Sequence, residues 1–469
     1  MLTLPAPPLH TTWKGSDPAA AVAMRAAELP GIVALPVRDL DPGIRPPLWA
    51  LDEAWGQTDV EAVRERTRAR LRRLDLSRIG AGETVNLLAN PHGFALCGPA
   101  YVVLLEETQK YVTDRTGARV RVRIAESMGH IENPDWVKIY DLDARLGPVK
   151  EVPQIDRGIE VETRIGKFWL SRPLFAADHF IHTHVTEMRE GYLHRMLDRL
   201  HKPFGMGYTR IETRSAYHFG YGPRTGQIVS RAVFESDFVQ SKYVGTIVLD
   251  TSPEGVVDVD ADNDLDVLNR RVSANILRTY GPLMRLLGEI DEMVVLFDGP
   301  GCFVYAYAAG MPFDNLLYAA VDFLDLDNLA LLSAFTSKLP TNPGLFLSVN
   351  PGIKGIVVNY MPGGVPFTST VRNILTVLVD GPAAGWLIND PSNAELADVV
   401  EVAPALPEAL ARVQAEAGTD QVIVYDSLPG AFHVSESLAG FLRDRAPAVV
   451  ADVESRLLPK WLEQRDLHA

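Results

Sequence analysis

The residues best suited to chemistry crowd into one stretch. Of eleven histidines, His179, His182, His184, His194, His201 and His218 lie between residues 179 and 218. Imidazole is the commonest side-chain ligand for zinc, copper, iron and nickel, and the usual proton carrier near neutral pH. The cluster therefore points to metal ligation or acid–base work, against the plain alternative of surface and core histidines. His182 and His184 sit in the apolar run FAADHFIHTHV, where period-two spacing puts both rings on one face of a strand. His194 and His201 are about two helical turns apart. Lys202 precedes Pro203 and a Gly-x-Gly turn that can hold its amine in a pocket. No H-E-x-x-H zinc motif is present.

His92, in Asn90-Pro91-His92-Gly93, and His130, in Ser127-Met128-Gly129-His130, each end a strand in a glycine-containing loop. Such a pair can give and take protons on either side of a substrate carbon; each can also merely cap a helix. The Gly363-Gly364 turn ahead of Thr368-Ser369-Thr370 offers backbone N–H groups to an anion, or an ordinary N-cap. The chain has no G-x-G-x-x-G after its first strand, no G-x-x-x-x-G-K-[ST] loop and no G-x-S-x-G elbow. That weighs against ordinary NAD-, ATP- and serine-dependent chemistry.

These groups need a scaffold, and the periodicity supplies one. TVNLLAN (84–90) predicts a strand, 99–117 a helix, and ARVRVRIAES (118–127) a second strand. This βαβ order implies a parallel sheet covered by helices. Further strands are predicted at 175–185, 242–250, 255–260, 292–299, 355–360 and 421–430, with helices at 59–76, 264–288, 315–324 and 435–463. The expected architecture is α/β with two domains, each a mostly parallel sheet flanked by helices, and a crevice between them. Its parts are an N-terminal arm (1–58), laid over the first domain, an N-terminal domain (59–275) and a C-terminal domain (276–469). Ligands in such sheets sit beyond the carboxyl ends of the strands. Those ends bring up His92, His130, His184 with Glu187, Asp298, Asp314 and Asp426.

The net charge of −15 disfavours nucleic acid and anionic membrane as partners, leaving a small molecule. Two cysteines, Cys97 and Cys302, suit a reducing cytoplasm. No apolar stretch reaches a membrane span, and the proline-rich start lacks a signal-peptide core.

The order of elements resembles the nickel-pincer lactate racemase family over about residues 60–460. TVNLLANPHG (84–93), RVRIAESMGH (121–130) and AADHFIHTHV (176–185) are similar to its strand-and-loop segments. The spacing from Lys202 to His218 is similar to its lysine-to-histidine spacing, and Gly310-Met311-Pro312-Phe313-Asp314 with Tyr318-Ala319-Ala320-Val321 resembles its second-domain segment. The resemblance implies a racemase or epimerase, an isomerase of a 2-hydroxy acid or related hydroxy compound, working by hydride transfer to a bound nickel-pincer nucleotide. Lys202 would anchor the cofactor; His194 and His218 would bind nickel, with His184 as the alternative ligand. His130 and His92 would exchange the hydroxyl proton, while Gly363, Gly364, Asp314, Tyr318 and Asp322 would bind cofactor or substrate. Phe94, Ala319 and Asp322 depart from the family pattern and imply a less anionic substrate. Two other readings stand beside it: a nickel-independent His/Lys acid–base lyase or isomerase, and a non-catalytic relative that binds a metabolite or protein. A homodimer is one expectation for the assembly.

Overall fold

Short β-branched runs flanked by Gly, Pro and Asn make the strands, and longer stretches with helical spacing make the covers. The computed structural model describes residues 22–50, 59–126, 135–187, 198–220, 222–299, 324–327, 350–361, 367–426 and 430–467. In chain order the strands are β1 (Ile32–Pro36), β2 (Thr84–Ala89), β3 (Arg119–Ala125), β4 (Lys150–Val152), β5 (Gly158–Thr163), β6 (Gly166–Ser171), β7 (His179–Val185), β8 (Tyr243–Ser252), β9 (Gly255–Asp262), β10 (Met293–Asp298), β11 (Ile353–Tyr360), β12 (Thr376–Val379), β13 (Glu401–Ala403), β14 (Val422–Tyr425) and β15 (Ala431–Ser435). The expected α/β architecture, two mostly parallel sheets flanked by helices, is what the chain adopts. The helix expected at 315–324 lies outside the described residues, apart from Leu324.

Among the described residues the chain divides into a central unit, mainly 59–277 with 45–50 and 462–467, and a flanking unit, mainly 278–461 with 22–44. The helix Leu265–Leu287 spans the division.

The central sheet has the order β4-β3-β2-β7-β8-β9, parallel except for β9. From β2 the chain winds outward through β3 to β4; from β7 it winds the other way through β8 to β9. The order therefore reverses between β2 and β7, which parts the connections leaving their carboxyl ends. The helix Pro91–Thr116 starts at Asn90 with Pro91 in its first turn and stops at the left-handed Gly117. Gly98, at φ 42° and ψ −116°, breaks it in two ahead of Pro99. Tyr101 through Leu105 are all buried, so the middle of this helix is core on every side, while its last turns expose Lys110, Thr113, Asp114 and Arg115. Its buried Glu107 is paired by Arg64 and Arg68 from the helix Glu61–Leu71, whose Arg66 and Arg70 grip Asp258 on β9. Burial works to raise the Glu107 pKa, but the two guanidinium groups outweigh it and hold the carboxyl below its ordinary value. β5 and β6 form a separate antiparallel ribbon.

The flanking sheet has the order β1-β15-β14-β10-β11-β12-β13. β10 to β14 are mutually parallel, and β15 and β1 are antiparallel additions at one edge. Val294, Leu296, Val357, Val422 and Val424 pack on Leu406, Ala409 and Val413 of the helix Leu406–Ala417. Each fully buried valine or leucine contributes about 1.5–3 kcal/mol. Residues 22–36, expected within an arm over the first domain, instead belong to this unit. Ala26 and Leu29 join its core, and β1 extends its sheet. The physical reason is Asp298, buried at the end of β10: it accepts from Arg25 Nε at 2.9 Å, Ala26 N at 2.7 Å and Asn359 Nδ2 at 2.8 Å.

Candidate active site

The reversal point of the central sheet is built around Asn90, the residue after β2. Asn–Pro directly before an apolar run is an N-cap signature, and Asn90 Oδ1 accepts from His92 N at 3.0 Å. Its other side-chain atom, Nδ2, lies 3.2 Å from Nδ1 of His184, near the end of β7. One amide thus meets both the backbone N–H of His92, half-buried in the first helical turn, and the ring of the buried His184. The Asn90 backbone is fixed as well. Its N–H donates to Tyr101 Oη at 2.8 Å, Tyr101 lies 2.5 Å from Thr183 Oγ1, and Thr183 donates to the Leu88 carbonyl at 2.8 Å. Burial pushes the Tyr101 phenol well up, so it stays protonated and available as a donor. Gly93 permits this arrangement, because a Cβ there would lie well under 3.0 Å from three Tyr101 ring atoms.

The histidines clustered in sequence do not stay together in space. His182 and His184 share a face of β7 as expected, their ring centroids 5.7 Å apart. His182, however, is two residues deeper, roughly 6.6 Å along the strand. There Phe204 and Tyr208 seal it, and its Nδ1 lies 2.5 Å from Tyr208 Oη. Burial, reinforced by the His184 and His201 rings, holds its pKa well below 6.5, so it is neutral. Its Nε2 has no partner among the described residues. His179 starts the strand and meets Glu83 at 3.0 Å. His201 is in the core, edge-on to Phe234 and 3.5 Å from Asp266.

Buried polar groups back the site on the β8 side. Thr186, just past β7, donates to Asp250 Oδ1 at 3.2 Å and receives Thr251 N at 2.9 Å. Asp250 also takes Arg45 at 3.2 Å and Asn275 at 3.3 Å. Burial nevertheless dominates and pushes its pKa up to about 6. Glu187 pairs with the buried Arg199, which ties the 198–205 turn to the end of β7. Asp198 anchors that turn through Arg231 at 2.6 Å and Gln227. Lys202 stands at the head of the following 3-10 turn, half-buried, with its N–H on the Asp198 carbonyl at 2.9 Å.

Of the expected site residues, the Asn90 side chain meets the backbone N–H of His92 and the ring of His184, and Lys202 stands on the turn tied to β7. His130, His194, Asp314, Tyr318, Asp322, Gly363 and Gly364 lie outside the described residues, as does the side chain of His218. Two strand-end acids of the flanking unit are engaged. Asp298 holds the N-terminal segment, and Asp426 lies 2.5 Å from His433 Nδ1. Sequence reasoning passed over Asn90, Tyr101 and Asp250. The Asn-Pro pair and an aspartate closing the apolar run IVLD were the available signals. Among the described residues no helix is long and apolar enough to cross a membrane. No protein-family model matches the chain, and no curated protein matches it.

Proposed function

We propose that the carboxyl edge between β2 and β7 is the active site of an acid–base isomerase or lyase acting on a small hydroxy- or oxo-compound. The observation that carries this reading is the Asn90 side chain, which meets the His92 backbone N–H and the His184 ring where the strand order reverses. His92 is the proton carrier; His184, more deeply set, donates to a substrate oxygen. Charge that develops on that oxygen as the neighbouring C–H proton leaves is then met by a fixed donor rather than by water. The buried Thr186–Asp250 pair ties the end of β7, which carries His184, to β8.

The nickel-pincer nucleotide implied by the resemblance is tested by its described residues. His184 does not fit as a ligand, since its Nδ1 faces the Asn90 side-chain amide, so no step is routed through that group. The nickel-dependent racemase or epimerase of a 2-hydroxy acid is the second reading, favoured by the Lys202-to-His218 spacing. The separating experiment incubates the protein with a panel of hydroxy and oxo acids and sugars in deuterated water, following deuterium uptake at carbon and stereochemical inversion. Uptake lost in His92→Gln and His184→Gln, in protein free of nickel, supports the first reading. Inversion without solvent uptake, in protein carrying nickel and a mass adduct on Lys202, overturns it in favour of the second. Wild-type protein that neither exchanges nor inverts any of them refutes both.

A further inference from the structure

The strand β3 carries Arg119, Arg121 and Arg123 at every second residue, so the three side chains rise from one face of the central sheet. Arg121 and Arg123 are half-buried, with backbones roughly 6.6 Å apart along the strand. Elsewhere in this unit half-buried guanidinium groups meet carboxylates: Arg64 meets Glu107, Arg70 meets Asp258 and Arg231 meets Asp198. Among the described residues Arg121 and Arg123 have no carboxylate partner. Arg121 gives Nη2 to the Ala176 carbonyl at 2.9 Å, and its buried Nε meets no acceptor. Arg123 reaches only the carbonyl of its neighbour Val122, at 2.8 Å. The acids nearby are turned away or taken. Glu151 on β4 pairs with Ile124 and so faces the other side of the sheet, whereas Asp156 is held by Lys150 at 3.3 Å. Burial and the Arg121 charge together hold the Arg123 pKa below its ordinary value, the mark of a cation short of a counter-charge. In a chain of net charge −15, carboxylates are not scarce, so two neighbouring arginines left without one stand out.

We propose that Arg121 and Arg123 form a binding site for a phosphate dianion, free or carried by a small metabolite as its monoester. Two like charges set side by side repel one another, and burial removes part of the water that screens them. A dianion between them neutralises both. Each planar guanidinium presents paired N–H donors, and a phosphate has enough oxygens to accept from two such forks at once. A monocarboxylate completes one fork and leaves the second charge unmet. In the ladder Arg123 pairs with Leu88, and Leu88 with His182, so the arginine pair shares one face of the sheet with the β7 histidines. The site stands apart from the function proposed above, because neither arginine enters that chemistry.

Two measurements on the full chain at constant ionic strength test it, with inorganic phosphate, glycerol phosphate and acetate as probes. Calorimetry is expected to show saturable binding of a phosphate probe at one site, weakened at least about tenfold in Arg121→Gln and in Arg123→Gln. Phenylglyoxal, which modifies arginine, needs no variant: with peptide mass spectrometry as readout, phosphate should slow its reaction at Arg121 and Arg123 while the exposed Arg73 reacts as before. Equal effects of the two phosphate probes point to the free anion, and a stronger effect of glycerol phosphate to a monoester; either supports the site. Wild-type protein that binds neither phosphate probe overturns the proposal. So does binding that both variants retain, or protection that falls equally on Arg73. Acetate binding as tightly as phosphate overturns the assignment to a dianion.

Discussion

Replacing Gly93 by alanine gives a test whose sign depends on the geometry. In a helix alanine is normally favoured over glycine by about 1 kcal/mol. Gly440, exposed in the helix Glu436–Asp452 with nothing within 4 Å of a built Cβ, shows the ordinary case. Gly440→Ala should stabilise by about 0.5–1 kcal/mol. At Gly93 the added methyl falls on the Tyr101 ring. The ring is buried and tethered through its hydroxyl to Asn90 and Thr183, so it cannot swing aside without loss. Overpacking costs about 1–3 kcal/mol. Leaving the Asn90 N–H without its acceptor costs about 1–3 kcal/mol more. Against a propensity gain of about 1 kcal/mol, the net is a destabilisation of roughly 1–5 kcal/mol. Urea unfolding of the full chain, with hydrogen exchange to follow each unit separately, measures both variants. Combining Gly93→Ala with Tyr101→Ala should cost less than the two single changes added together, by at least about 1 kcal/mol. If Gly93→Ala is neutral or stabilising like Gly440→Ala, Tyr101 is not held as described and Asn90 loses the tether that makes it rigid.

Asp250 predicts a pH signature. Its folded pKa, raised from 3.8 to about 6, means the folded state keeps a proton that the unfolded chain releases first. Stability is therefore lost as pH rises from about 4 through about 6, by about 3 kcal/mol for a shift of this size. Asp250→Asn should remove that slope and gain on the wild type across the window, read as the difference between two urea-midpoint profiles; parallel profiles would contradict it. Arg25→Ala strips the cationic partner from the buried Asp298 and should destabilise the flanking unit by roughly 3 kcal/mol. Adding Asp298→Asn should recover much of that, which thermal unfolding of the single and double variants will measure.

The two α/β sheets were legible because their strands are short, apolar and β-branched, and because the βαβ rhythm around residues 84–125 is local. The strand at 175–185 was legible too, but the division of labour along it was not. Period-two spacing shows that His182 and His184 share a face. Depth below the strand end, which set His182 against Phe204 and Tyr208 and His184 beside Asn90, depends on residues arriving from other segments. Asn90 was read only as part of a loop, because its second hydrogen bond crosses to β7, almost a hundred residues later. The edge pairing of β1 with β15 was invisible for the same reason: nothing near Ile32 in sequence shows that its partner is Ser435.

That last pairing also sets a clock on synthesis. β1 emerges first of the two, and the strand it joins is not complete until roughly 400 residues later. At about 5–20 residues per second, its wait lasts on the order of 20 to 80 seconds. The main run of the central unit, 59–277, is finished well before then, so the ribosome releases a chain whose middle can fold while its beginning still awaits its end. During that interval Ile32, Val33 and Leu35 form an apolar stretch whose partner strand does not yet exist.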